Sequence, residues 1–152
     1  MPYIETETDD SGCILCQLRD QQDGPANLIL HRGDQVFAML NRYPYTNGHL
    51  MIVPNDHQAE LSALPAGTLA EMMQLTSQAV EVLKAAYRAE AFNIGLNLGR
   101  AAGAGISDHL HIHVVPRWSG DTNFMATTAV TRVLPEALEV TYQRLRQTWD
   151  KA

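Results

Sequence analysis

The sequence predicts a single α+β domain, and three observations carry that reading. Short apolar runs separated by turn chemistry fill the first third, one long stretch then repeats every three to four residues, and two alternating runs follow it. Strands in sequence with a few helices packed on them make an antiparallel sheet covered by one long central helix and a C-terminal helix. The 152 residues, 45% hydrophobic and 18% charged, suffice for one core and leave no room for two, so the domain is expected to span 1–152 with 1–11 as a flexible N-terminus.

Residues 27–31, 35–40 and 49–53 are the short apolar runs, and HRGD (31–34) and NRYPYTNG (41–48) between them supply the Gly, Asn and Pro of a meander. From 68 to 87 the period changes: Leu69, Met72, Met73, Val80, Leu83 and Tyr87 recur at helical steps, and Thr68 with Glu71 has the spacing of a capping box. Phe92, Ile94, Leu96 and Leu98 then alternate with Asn93, Gly95, Asn97 and Gly99, which predicts a strand burying one face and offering a small polar face to a ligand. A Gly/Ala-rich connection (99–105) leads to a second alternating run, 109–115, closed by Pro116. Pro135 opens the last helix, with Leu138, Tyr142, Leu145 and Trp149 on one side.

Eleven basic against seventeen acidic side chains leave a net charge of −6, so no global positive field is available for nucleic acid or an anionic membrane. An anionic ligand needs local positive partners, for which Arg100 and Arg117 are candidates. The opening MPYIETETDD has neither a basic n-region nor an apolar run, and two cysteines are too few for a disulfide scaffold. A cytoplasmic protein is expected.

His109, His111 and His113 stand at i, i+2 and i+4, so on a strand they share one face while Leu110, Ile112 and Val114 point to the core. One histidine fits a core role easily; three on one face each need a separate hydrogen-bonding solution. Two functional readings survive: a neutral imidazole as nucleophile toward phosphorus, or a catalytic Zn²⁺ with an open position. Spacing alone leaves both open. Gly99, Gly103 and Gly105, which let backbone N–H groups approach an anion, and the polar face with Asn93 and Asn97 favour phosphate.

HLHIHVV (109–115) resembles the HxHxHxx signature of the histidine-triad superfamily of nucleotide hydrolases and transferases. NRYPYTNGHLMIVPNDH (41–57), the long helix, GLNLGRAAGAGISDH (95–109) and PRWSGDTNFM (116–125) extend the resemblance to the bacterial branch containing diadenosine tetraphosphate phosphorylases and hydrolases. It implies a histidine-triad-like fold with His111 as nucleophile at the α-phosphorus, His113 on the phosphate and His109 supporting the strand. Asn41 falls where the family binds ribose, and Asn97 near its phosphate-contacting polar residue. Many relatives carry Gln or Ser just before the first histidine, where this chain reads AGAGISD (102–108), so Gly105 N–H and Ser107 are expected to take over. Trp118 and Asn123 are further nucleotide-binding candidates. His31 and His49 are read as structural.

Cys13 and Cys16 are half of a tetrahedral site by spacing, with a redox pair or two plain buried thiols as the other readings. The resemblance names the other half: His57 of VPNDH and His109, which would make a closed, structural zinc site with no organic cofactor elsewhere. The implied activity is cleavage of dinucleoside polyphosphates through an adenylyl-histidine, with phosphorolysis slightly favoured over hydrolysis. A general nucleotide phosphoramidase or hydrolase, and a non-catalytic nucleotide-binding module, are the alternatives. A nucleotide is the expected small-molecule partner, and a homodimer follows by analogy.

Overall fold

The computed structural model describes residues 12–121 and 136–152. In chain order these hold α1 (Ile14–Arg19), β1 (Ile29–Arg32), β2 (Val36–Leu40), β3 (Leu50–Pro54), α2 (Ala66–Tyr87), β4 (Ala91–Leu96), β5 (Ile112–Arg117) and α3 (Leu138–Asp150). Two single-turn 3-10 helices, Leu61–Ala63 and Arg100–Ala102, sit in the connections. The five strands form one antiparallel sheet in the order β1-β2-β3-β5-β4. The α+β expectation holds.

Alternation divides the apolar residues between two layers. Leu30, Val36, Ala38, Leu40, Leu50, Ile52, Ile112 and Val114 face α2 and α3, where Met72, Leu83, Leu145 and Trp149 complete the main core. Ile29, Phe37, Met39, Met51 and Val53 face the other way and pack with Cys13, Leu15, Cys16 and Leu18 around α1. The short N-terminal helix is therefore the lid of the second core, a role its six residues do not announce.

Four details differ from expectation. Helix α2 starts at Ala66, after Pro65, with no side-chain cap. Thr68 is buried, and Glu71 instead accepts the N–H groups of Asp34 (2.8 Å) and Gln35 (2.6 Å), tying the β1–β2 turn to the helix. Strand β4 is an edge strand that ends at Leu96: Phe92 and Leu96 pack on the main core, while Ile94 within it and Leu98 beyond it remain 47% and 45% exposed. Strand β5 begins only at Ile112, and Pro116 lies inside it opposite Phe92. Its ring is tolerated because β3 pairing has already ended at Leu50 and Val114, and the freed carbonyl of Pro116 accepts the Thr46 hydroxyl (3.0 Å).

Helix α3 buries Tyr142, Leu145 and Trp149, and the Tyr142 hydroxyl donates to Ile29 O at 3.0 Å. Glu136 accepts from Tyr87, Thr141 and Arg144 and clamps the start of α3 to the end of α2. Pro135, the expected opener of this helix, lies outside the described residues.

Candidate functional site

The β3–β5 register pairs Met51 with His113, which puts the imidazole of His113 on the α1 side of the sheet, and alternation puts His111 and His109 on that side too. Opposite His113 on β4 stands Gly95, so no side chain crowds the ring from that strand. The expected shared face is real. The three rings have different fates, however, because different elements cover them.

His109 is fully buried and turned to the thiols of the α1 segment. Its Nδ1 lies 3.4 Å from Sγ of both Cys13 and Cys16, and Nδ1 of His57 lies 3.5 Å from Sγ of Cys16. All four ligand atoms fall within 4.8 Å of one another. His109 Nε2 donates to Pro54 O at 2.8 Å, which leaves the Nδ1 lone pair facing the sulfurs, and burial pushes its pKa down to about 4. His57 Nε2 faces the Asp108 carboxylate at 3.7 Å. Two soft thiols and two imidazoles this close together, with the His109 ring oriented through its outer nitrogen, fit the donor set of a closed tetrahedral zinc site.

His111 and His113 instead line a cleft of about 570 Å³. Leu15 and Leu18 of α1 with Leu28, Met39 and Met51 build its apolar wall, while Asn41, Asn97, Gly103 and Gly105 supply polar edges. His111 Nδ1 lies 3.0 Å from His109 O. A carbonyl only accepts, so Nδ1 carries the proton and the Nε2 lone pair is free. Burial lowers the His111 pKa, partly opposed by that hydrogen bond, and keeps the ring in its neutral, nucleophilic form.

His49, read from the sequence as structural, completes this arrangement. It is fully buried, its Nδ1 accepts the Tyr45 N–H at 3.1 Å, and its Nε2 lies 3.0 Å from His113 Nδ1. An amide only donates, so the neutral His49 bears its proton on Nε2 and donates to His113 Nδ1. His113 is thereby left with Nε2–H, a donor for an anion. Its pKa is pushed down to about 4 by burial and then by the charge of His111. His49 lies two residues before Met51, on the same face and diagonal to His113 across the ladder, a relation that only the β3–β5 register reveals. Gly48 before it takes φ +88°, and a Cβ there would meet Leu83 Cδ2 at 2.9 Å.

The other candidates scatter. Asn41 lines the cleft, its Oδ1 accepts the Tyr43 N–H at 2.8 Å, and its Nδ2 lies 3.4 Å from His49 Nε2. Ser107 is half-buried, two residues before His109 in the chain. Trp118 sits at the far end of β5, where its indole donates to Tyr87 O at 3.1 Å, so it braces the end of α2. Asn123 lies outside the described residues. Arg117 is engaged by Asp121 at 2.6 Å and Asn93 at 2.8 Å, and it is Arg42, missed in the sequence, that brings a positive charge to the cleft.

Comparison with known proteins agrees with this geometry. The HIT domain model matches residues 21–120. The chain is 44% identical over 133 residues to AP-4-A phosphorylase of Mycobacterium tuberculosis, covering 88% of this chain and 66%, just under two thirds, of that enzyme. Among solved structures, a Zn-bound histidine triad family protein from Mycobacterium smegmatis superimposes with a TM-score of 0.75 at 25% identity, covering 94% of this chain and 96% of that one. A hypothetical histidine triad nucleotide-binding protein from Sulfolobus tokodaii gives 0.73 at 25% identity, with 91% and 93% covered. On the triad, the sheet order and these matches, the chain belongs to the HIT domain family.

Proposed function

We propose that the chain cleaves dinucleoside polyphosphates, diadenosine tetraphosphate first, through an adenylyl-His111 intermediate. The carrying observation is the hydrogen bond from His111 Nδ1 to His109 O, which leaves Nε2 as an unprotonated nucleophile in the cleft. That nitrogen attacks the α-phosphorus, a P–N bond forms, and the P–O bond to the departing nucleoside polyphosphate breaks. The leaving group has a terminal pKa of about 6, by analogy with phosphate monoesters, so it departs without a strong acid. His113 Nε2–H and the amides near Gly103 and Gly105 stabilise charge on the phosphoryl oxygens. Phosphate or water then takes the adenylyl group from His111, with phosphorolysis slightly favoured by the likeness to the mycobacterial phosphorylase.

In this reading Asn41 binds ribose, Asn97, Gly105 and Ser107 serve the phosphates, and the apolar wall takes the base. Trp118, held beside Tyr87, and Asn123 complete the proposed nucleotide contacts. Cys13, Cys16, His57 and His109 would hold a structural zinc whose chemistry is purely that of a cross-link. Thiols outside any disulfide and poised as ligands suit a reducing cytoplasm, and no helix among the described residues is long and apolar enough to cross a membrane. Half-exposed Ile94 on edge strand β4, with Leu98 just past its end, supports a homodimer.

The test is to incubate the chain with diadenosine tetraphosphate with and without phosphate. ATP plus ADP, formed only with phosphate, means phosphorolysis; ATP plus AMP means hydrolysis. Tight AMP binding without turnover means a nucleotide-binding module and overturns the proposal.

A further inference from the structure

Helix α1 belongs to two sites at once. Cys13 and Cys16 turn their sulfurs to His109 and His57, while Ile14, Leu15 and Leu18 of the same short helix form one wall of the cleft. The C-terminal end of the helix is tied by hydrogen bonds: the buried Asn27 side chain donates to Leu18 O at 3.1 Å, and Arg19 donates to Asn55 O at 2.7 Å. The N-terminal end, with Ile14 and Leu15, is the end that carries the thiols. A second link runs through His109, whose ring faces the thiols and whose carbonyl orients His111 across the cleft.

We propose that α1 is a metal-positioned wall of the nucleotide cleft, so that occupancy of the cysteine–histidine cluster and occupancy of the cleft reinforce each other. Cys13 and Cys16 are then positioning residues for the nucleotide, acting through Ile14 and Leu15. This rests on the nucleotide reading given above. The physical basis is that a six-residue helix has almost no stability of its own, so its placement depends on what it is tied to. Ordering it once, by metal or by base, spares the second ligand that cost, and linkage makes the effect reciprocal.

The experiment uses the folded chain loaded with Co²⁺, which reports a Cys₂His₂ set through its visible absorption, and AMP as the cleft ligand. AMP is expected to shift the cobalt bands on binding and to tighten the metal against a competing chelator by about fivefold or more. Calorimetric AMP binding with unchanged bands and unchanged metal affinity overturns the coupling and leaves the nucleotide reading intact. Absence of AMP binding overturns both. Ile14→Ala alters the wall without touching a ligand, and Ile14 is 46% exposed, so the variant should fold. It is expected to retain one metal per chain, bind AMP more weakly and lose most of the coupling. Coupling of undiminished size in that variant refutes a role for this wall.

Discussion

His49 Nε2 donates to His113 Nδ1 across 3.0 Å, and the direction of that bond is set by the Tyr45 amide on the far side of the His49 ring. A backbone N–H thus selects the tautomer of a histidine in the cleft through an intermediate imidazole. Replacing His49 with Phe keeps a ring in the buried space but removes the donor. The kcat for diadenosine tetraphosphate is expected to fall about 10²-fold with metal content unchanged. Wild-type kcat in His49→Phe would show that His113 does not need this orientation.

His111→Ala is expected to reduce turnover by about three orders of magnitude or more, with the thermal transition and metal content preserved. Rapid quench into alkali, where a histidine phosphoramidate persists although acid cleaves it, should find labelled adenylyl on the wild-type chain and none on the variant. Adenylylation of His111→Ala at the normal level would move the nucleophile elsewhere.

His49 also makes stability depend on pH. Burial, helped by the charges of His113 and His111, pushes its pKa from 6.5 down to about 4. Between those values the unfolded chain binds a proton that the folded chain refuses. Stability is therefore complete above about pH 6.5 and declines as the pH falls toward about 4, by roughly 3 kcal/mol from this ring. Urea unfolding at pH 7.5 and pH 5 should show the loss, and His49→Phe should show less of it. Identical pH dependence in the two chains would discount His49 as its source.

His109→Ala removes one of the four donors of the proposed zinc site, the ring that lies against both sulfurs. Elemental analysis is expected to give about one zinc per wild-type chain and much less for the variant. Full zinc retention by His109→Ala would mean that the metal sits elsewhere.

Glu71 accepts two N–H groups from the β1–β2 turn, so Glu71→Ala is expected to cost about 1–2 kcal/mol of stability while leaving kcat untouched. Denaturant titration measures it, and an unchanged midpoint would show that water serves those amides equally well.

Much of the fold was legible because period 2 and period 3.6 are properties of neighbours in the chain. The meander, the long helix and the single face of His109, His111 and His113 all follow from local alternation. Capping by Thr68 misread the same local pattern, since Pro65 already starts the turn and Glu71 has partners 36 and 37 residues away. The expected burial of Ile94 and Leu98 failed because alternation names a face without saying what lies over it.

The triad shows where local information stops. Spacing puts three imidazoles on one side of a strand, but their division into a partner of the cysteine thiols and two cleft residues depends on what folds over each of them. Cys13 reaches His109 from 96 positions away, and His49 reaches His113 from 64. Such contacts are set by sheet order and by the docking of α1, which bring together side chains that no window of sequence contains. Periodicity assigns a residue its face; packing assigns it its partner, and for histidine the partner decides which nitrogen holds the proton and hence what the ring can do.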